Sequence, residues 1–159
     1  MSLNLALATR IVQGAMAAAR TDSVRPLSFV VAAPGGEVIL VVREDGANPM
    51  TARIAQAKAE TAAGFRNTTR ALNEVFAANT AALVALSSAA VAGFAPLGGG
   101  VPIFDANGTF VGSAAAAGDA PPRDEACITA GVVAAGLSVT TNAGAPPERQ
   151  PWPPPPPGS

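Results

Sequence analysis

The 159-residue chain contains no histidine and no tyrosine, and one residue each of cysteine (Cys127), lysine (Lys58) and tryptophan (Trp152). Without histidine it has no Ser-His-Asp triad, no Cys-His dyad and no imidazole for a metal ion. One cysteine makes neither a disulfide nor a thiolate cluster within the chain. Imine chemistry falls to Lys58 or the N-terminal amine. Charged residues are 13% of the chain, against roughly 25% in an ordinary globular protein. The net charge of −1 gives no electrostatic ground for nucleic acid or an anionic membrane as partner. No run reaches the ~18 to 20 apolar residues of a membrane span. The start of the chain lacks the basic segment of a signal peptide, so a cytoplasmic location is expected.

Hydrophobic residues make up 49%, enough for the core of one domain. Leu3, Leu7, Ile11, Ala15 and Ala18 recur at three- and four-residue steps, which predicts an amphipathic helix over residues 3–20. The apolar, β-branched blocks 27–33 and 37–43 flank Pro34-Gly35-Gly36 and read as a hairpin. An Ala-rich helix follows over 51–64 with Thr51 as N-cap, then a third helix from Asn67 or Thr68 to about Leu86. Residues 101–104 and 109–117, joined by Asp105-Ala106-Asn107-Gly108, read as a second hairpin. A last helix is predicted over 123–137, with Asp124 and Glu125 at its positive end. From Ser138 the composition turns to proline, and residues 138–159 read as a disordered or polyproline II tail beyond a domain of residues 1–137. The order helix, hairpin, two helices, hairpin, helix predicts an α+β fold, an antiparallel sheet covered by helices.

The segment PLGGGVPIFDANGTFVGSAAAAGD, with its glycine run leading into a strand and its glycine-marked return, resembles a known family. So do VVAAPGGEVILVVREDGA and IAQAKAETAAGF upstream, and the acidic helix start Asp124-Glu125-Ala126. Over residues 5–137 the chain is similar to the GlcG/HbpS-like proteins, the haem-degrading domain family. The resemblance implies a profilin-like α/β/α sandwich, assembly into homo-oligomers from dimers to octamers, and binding of a small molecule, haem among them. In this chain an axial ligand to haem iron would come from Cys127, Met16, Met50, a hydroxyl or a carboxylate.

Ligand-binding candidates are Lys58, which aligns with the family's lysine, the Gly98-Gly99-Gly100 loop, Pro102 and Arg53. The glycines allow close approach of backbone N–H groups to a ligand, and an arginine can clamp a carboxylate. Lys58 is also the catalytic candidate, as an amine or electrophile acting on organic acids or aldehydes. Glu60 is two residues away and points elsewhere on the helix, which leaves Asp124 or Glu125 as its acidic partner. Asp105 is read as a turn residue and Cys127 as a buried, inert thiol. A third class of function is an accessory subunit whose Pro-rich tail, with Trp152 before five prolines, docks on a protein partner.

Overall fold

A computed structural model of the chain describes residues 2–90 and 93–140. The elements are α1 (Leu5–Thr21), β1 (Ser28–Ala32), β2 (Val38–Arg43), α2 (Thr51–Phe65), α3 (Thr69–Phe76), α4 (Thr80–Ala89), β3 (Gly100–Phe104), β4 (Phe110–Ala117) and α5 (Pro121–Ala134). The four strands form one antiparallel sheet in the order β2-β1-β4-β3. The predicted α+β class and the antiparallel sheet covered by helices are therefore found.

The two faces of the sheet carry different side chains, because alternate residues of a strand point to opposite sides. Phe29, Val31, Val101, Ile103, Ala114 and Ala116 pack against Ile11, Val12 and Ala15 of α1 and Ile128 and Val132 of α5, and this is the main core. The other face offers Val30, Ala32, Ala115 and Ala117 to Ala55 and Ala59 of α2. Alanine on both sides lets α2 lie close to the sheet. It lies close enough for Ser113 Oγ to donate to Ala59 O at 2.8 Å and for Ser28 and Thr51 to share a hydrogen bond of 2.8 Å.

α1 and α5 pack through glycine. A Cβ at Gly14 would lie 3.1 Å from Gly131 Cα, and one at Gly131 would lie 2.8 Å from Ala15 N. β3 is an edge by hydrogen-bonding order yet buried along its length, which accommodates Pro102, a residue without a ladder N–H. Thr69 closes this edge, its Oγ1 accepting from Gly100 N at 2.9 Å. Ser138, at the head of the predicted tail, exchanges two hydrogen bonds with Phe104. The rest of the tail, from residue 141, lies outside the described residues.

Three local expectations are corrected. Thr51 does not cap α2; it is the first helical residue, buried, with its hydroxyl given to Asn48 O at 2.7 Å. The single third helix is two helices, because Asn79 Oδ1 accepts from Ala82 N and restarts the chain as a cap. Thr68 caps the first of them, as expected. The last helix begins at Pro121, whose missing N–H is tolerated in a first turn, and ends at Ala134, before Gly136 at φ +82°.

Candidate functional site

At one end of the sheet β4 stops at Ala117, the chain turns through Gly118-Asp119, and α5 begins. α2 passes beneath this turn and carries Lys58 into it. The lysine, 3% exposed, donates to Asp124 Oδ2 at 3.1 Å and to Ala116 O at 3.1 Å. Asp124, 1% exposed, uses its other oxygen to accept from Asp119 N at 2.9 Å. The sole lysine of the chain is thus an internal cation tying α2 to β4 and α5. Of the two acidic partners offered by the sequence, Asp124 is the one in contact. Glu125 instead accepts from Arg70 Nε at 3.1 Å.

Burial disfavours both charges of the pair. It lowers the Lys58 pKa, and Asp124 opposes that shift through attraction and a hydrogen bond. It raises the Asp124 pKa, and Lys58 opposes that in turn. Burial thus works against both charges, while their attraction and hydrogen bond work for them.

Above the pair opens a cleft of about 410 Å³. Its floor is Lys58 and Asp124, and Met50, Ile54, Leu97 and Pro121 supply apolar lining. Met50, Ile54 and Leu97 are 55%, 37% and 49% exposed, so large apolar side chains ring an accessible opening. Asn48, Thr51 and Asp119 add polar groups to the same lining, and a cleft that combines apolar walls with placed polar groups is the pattern of a small-molecule site.

The glycine run stands behind the pair and not in the lining of this cleft. Gly99, at φ +120°, could not carry a side chain: its Cβ would lie 2.6 Å from Ala116 O, 2.8 Å from Lys58 Nζ and 3.0 Å from Asp124 Cβ. Gly98 packs on Pro121, and Gly100 on the Lys58 carbonyl and Thr69. Pro102 is buried opposite Ser113 in the sheet. Arg53 is exposed on α2 and does not line the cleft. Of the residues singled out in the sequence, the structure brings together Lys58, Asp124 and Gly99. Asn48, Ile54, Leu97 and Pro121 were missed as lining, whereas the sequence singles out Met50 as a haem-ligand candidate. The Asn48-Pro49 turn and Pro121 were visible as chain breaks, but nothing in the sequence set them around one opening.

Other singled-out residues have structural duties. Asp105 accepts from Asn107 N and Thr109 N, each at 2.9 Å, which holds its pKa down. Cys127 is buried, and burial pushes its thiol pKa up. Among the described residues no cluster of acids and thiols is grouped to hold a metal ion, and no helix is long and apolar enough to cross a membrane.

A family model described as "Haem degrading protein HbpS-like" matches residues 3–133. The chain belongs to the HbpS-like family. The HbpS crystal structure is 29% identical, with TM-score 0.72 over 84% of this chain and 89% of that one. A double mutant of Streptomyces reticuli HbpS gives 29% identity and TM-score 0.71, over 84% of this chain and 86% of that one. A PduOC:haem complex shares the HbpS-like fold at 20% identity, with TM-score 0.78 over 89% of this chain and all of that one. No curated protein matches the chain.

Proposed function

We propose that this HbpS-like protein binds a small, largely apolar molecule in the cleft over Lys58, and that the ligand is a tetrapyrrole of the haem class. The carrying observation is the cleft itself: a buried Lys58–Asp124 pair at the floor of an opening lined by exposed apolar side chains. The family description and the haem named for PduOC supply the ligand class. The donor set is compatible with it. Haem iron accepts a thioether as axial ligand, and Met50 brings one to this cleft. Met16 lies in a second cleft of about 390 Å³ beside Arg20 and Arg43, and Cys127 is buried and protonated.

Titration of the protein with haemin, followed by absorbance, tests the reading. A shift that saturates at one haem per subunit, and weakens in Met50→Ala but not in Met16→Ala, is expected. Non-saturating binding overturns the haem assignment, and loss in Met16→Ala alone moves the site to the second cleft.

A second reading rests on the placement of the sole lysine at the floor of the cleft beside Asp124, where burial lowers its pKa. A less basic amine is a better nucleophile at neutral pH. Attack on an aldehyde would form an imine and release water, with Asp124 placed to hold the transferred proton. Borohydride trapping with small aldehydes would add mass at Lys58. Its absence, or equal labelling in Lys58→Met, removes this reading.

A further inference from the structure

Three residues descend into the cleft in a single row along α2. Met50, Ile54 and Lys58 stand at four-residue steps, which places them one above another on the helix and spreads them over about 12 Å of its length. Exposure falls along the row, from Met50 through Ile54 to the buried Lys58. The wall is therefore apolar at the mouth and ends on a cation. Arg53, the other cation at this end of α2, does not line the cleft, and Lys58 is the one lysine or arginine among the lining residues.

The hydrogen-bonding capacity left over in this lining is of donor type. An ammonium has three N–H donors, and among the described residues Lys58 gives two of them, to Asp124 Oδ2 and Ala116 O. The acids beside it are engaged at both oxygens. Asp124 accepts from Lys58 through one and from Asp119 N through the other. Asp119 accepts from Ala120 N at 2.7 Å through Oδ1, and from Arg25 N at 2.9 Å and Arg123 Nη1 at 3.4 Å through Oδ2. Asn48, exposed at the rim, has its amide oxygen taken by Met50 N at 2.9 Å and offers its NH2 group. A buried charged donor without an acceptor is costly, and its hydrogen bonds are stronger than those of an exposed neutral amide. A ligand therefore gains most by bringing an acceptor oxygen to Lys58.

We infer that the ligand of this cleft is an amphiphilic carboxylate that enters head first, its carboxylate accepting from the unspent N–H of Lys58 at the floor and its apolar body lying along Ile54, Leu97 and Met50. This rests on the cleft being the ligand site and adds the charge and the direction of what it holds. The acid is shared chemistry between a side group of a tetrapyrrole and the end of a simple apolar chain. The incoming carboxylate shares Lys58 with Asp124, so two acids compete for one cation.

Probes with one apolar body and different ends test this: octanoate, octan-1-ol and octylamine, titrated calorimetrically into the full chain at pH 7. Octanoate should saturate at one per subunit, and the alcohol and the amine should bind about tenfold more weakly or worse. Asp124→Asn, with folding verified by circular dichroism, leaves Lys58 to the ligand alone and should bind octanoate more tightly than the wild type does. Lys58→Met combined with Asp124→Leu, which keeps the floor filled, should bind octanoate no better than octan-1-ol. Haemin against its dimethyl ester separates the carboxylate from the haem class. Haemin held tighter than the ester supports both; octanoate bound and haemin refused supports the carboxylate and removes haem. Octanoate held no tighter than octan-1-ol by the wild type, octanoate binding unaltered in the Lys58→Met, Asp124→Leu variant, a folded Asp124→Asn that binds octanoate more weakly, or haemin and its ester bound equally would each overturn the proposal.

Discussion

Lys58→Met removes the cation from a buried pair and leaves a carboxylate that is 1% exposed. Methionine nearly matches the length of the lysine stem, so the cavity term is small and the change isolates the charge. Removing one partner of a buried pair costs about 3–5 kcal/mol, because the remaining charge stands unpaired in a poor solvent. Asp124 limits the loss by taking up a proton, a change its raised pKa already favours. The sign of the pH dependence follows. In the variant the folded-state pKa of Asp124 lies still further above its unfolded value. The protonated acid is therefore accommodated at low pH, and stability falls as pH rises through the folded pKa. Near neutral pH the loss corresponds to roughly 10–20 °C in melting temperature for a domain of this size. It should shrink on acidification toward pH 5. Thermal and urea unfolding followed by far-UV circular dichroism measure it. Adding Asp124→Asn to Lys58→Met removes the orphan charge and keeps an oxygen for the Asp119 N–H; this double variant should recover more than half of the loss. A Lys58→Met loss below about 1 kcal/mol at pH 7, or a double variant no more stable than the single, would refute the assignment of a desolvated ion pair.

Three further changes probe the loop behind the pair, the α1–α5 contact and the β3–β4 turn. Gly99→Ala should destabilise by about 2 kcal/mol or more and lower ligand affinity in the same cleft, since the new methyl meets Ala116 O, Lys58 Nζ and a positive φ at once; an unaffected melting temperature would show that the loop is slack. Gly131→Ala should cost about 1–3 kcal/mol by prising α5 from the backbone of Ile11 and Ala15, read in urea titrations. Asp105→Asn should flatten the acid limb of stability: the carboxyl pKa is lowered in the fold, so its contribution is present above the unfolded value near about 3.9 and lost as pH falls below it. Unfolding curves between pH 2 and pH 5 would show whether the wild type and the variant converge in acid.

Legibility in the sequence followed the range of the interaction. Both hairpins were visible because apolar blocks and turn residues lie within a few positions of one another, as in the Asp105–Gly108 turn. The Ala-rich face of α2 was visible because its spacing is helical, and alanine is what the close Ala115–Ala117 surface requires. The break between α3 and α4 was hidden, because no glycine or proline marks it and the side chain of Asn79 alone restarts the helix. Lys58 stood out by being unique, and Asp124 was one of two acids open to it. Choosing between the two needed the turn after β4, which points Asp124 inward and leaves Glu125 to Arg70. The cleft lining was least legible: Met50, Leu97 and Pro121 come from three separate segments that only the folded chain brings together.

Stability does not account for the position of the pair. A buried ion pair offers at best a small net gain over apolar residues of the same volume, and its replacement is often neutral or stabilising by about 1–4 kcal/mol. The surrounding Ala, Val and Gly residues make such a replacement easy to picture: Lys58 and Asp124 as Met and Leu would extend the apolar floor toward Leu97 and Pro121. A chain with 13% charged residues has nonetheless placed its sole lysine at 3% exposure, at the base of a cleft. A role in holding a ligand explains that placement, and a role in holding the fold does not. The two come apart in the double variant Lys58→Met, Asp124→Leu. It should melt within a few degrees of the wild type or above it, once the loss of the Asp119 hydrogen bond is counted, and it should fail to saturate with ligand. Retained, unaltered ligand binding in that stable variant would return the pair to a structural role.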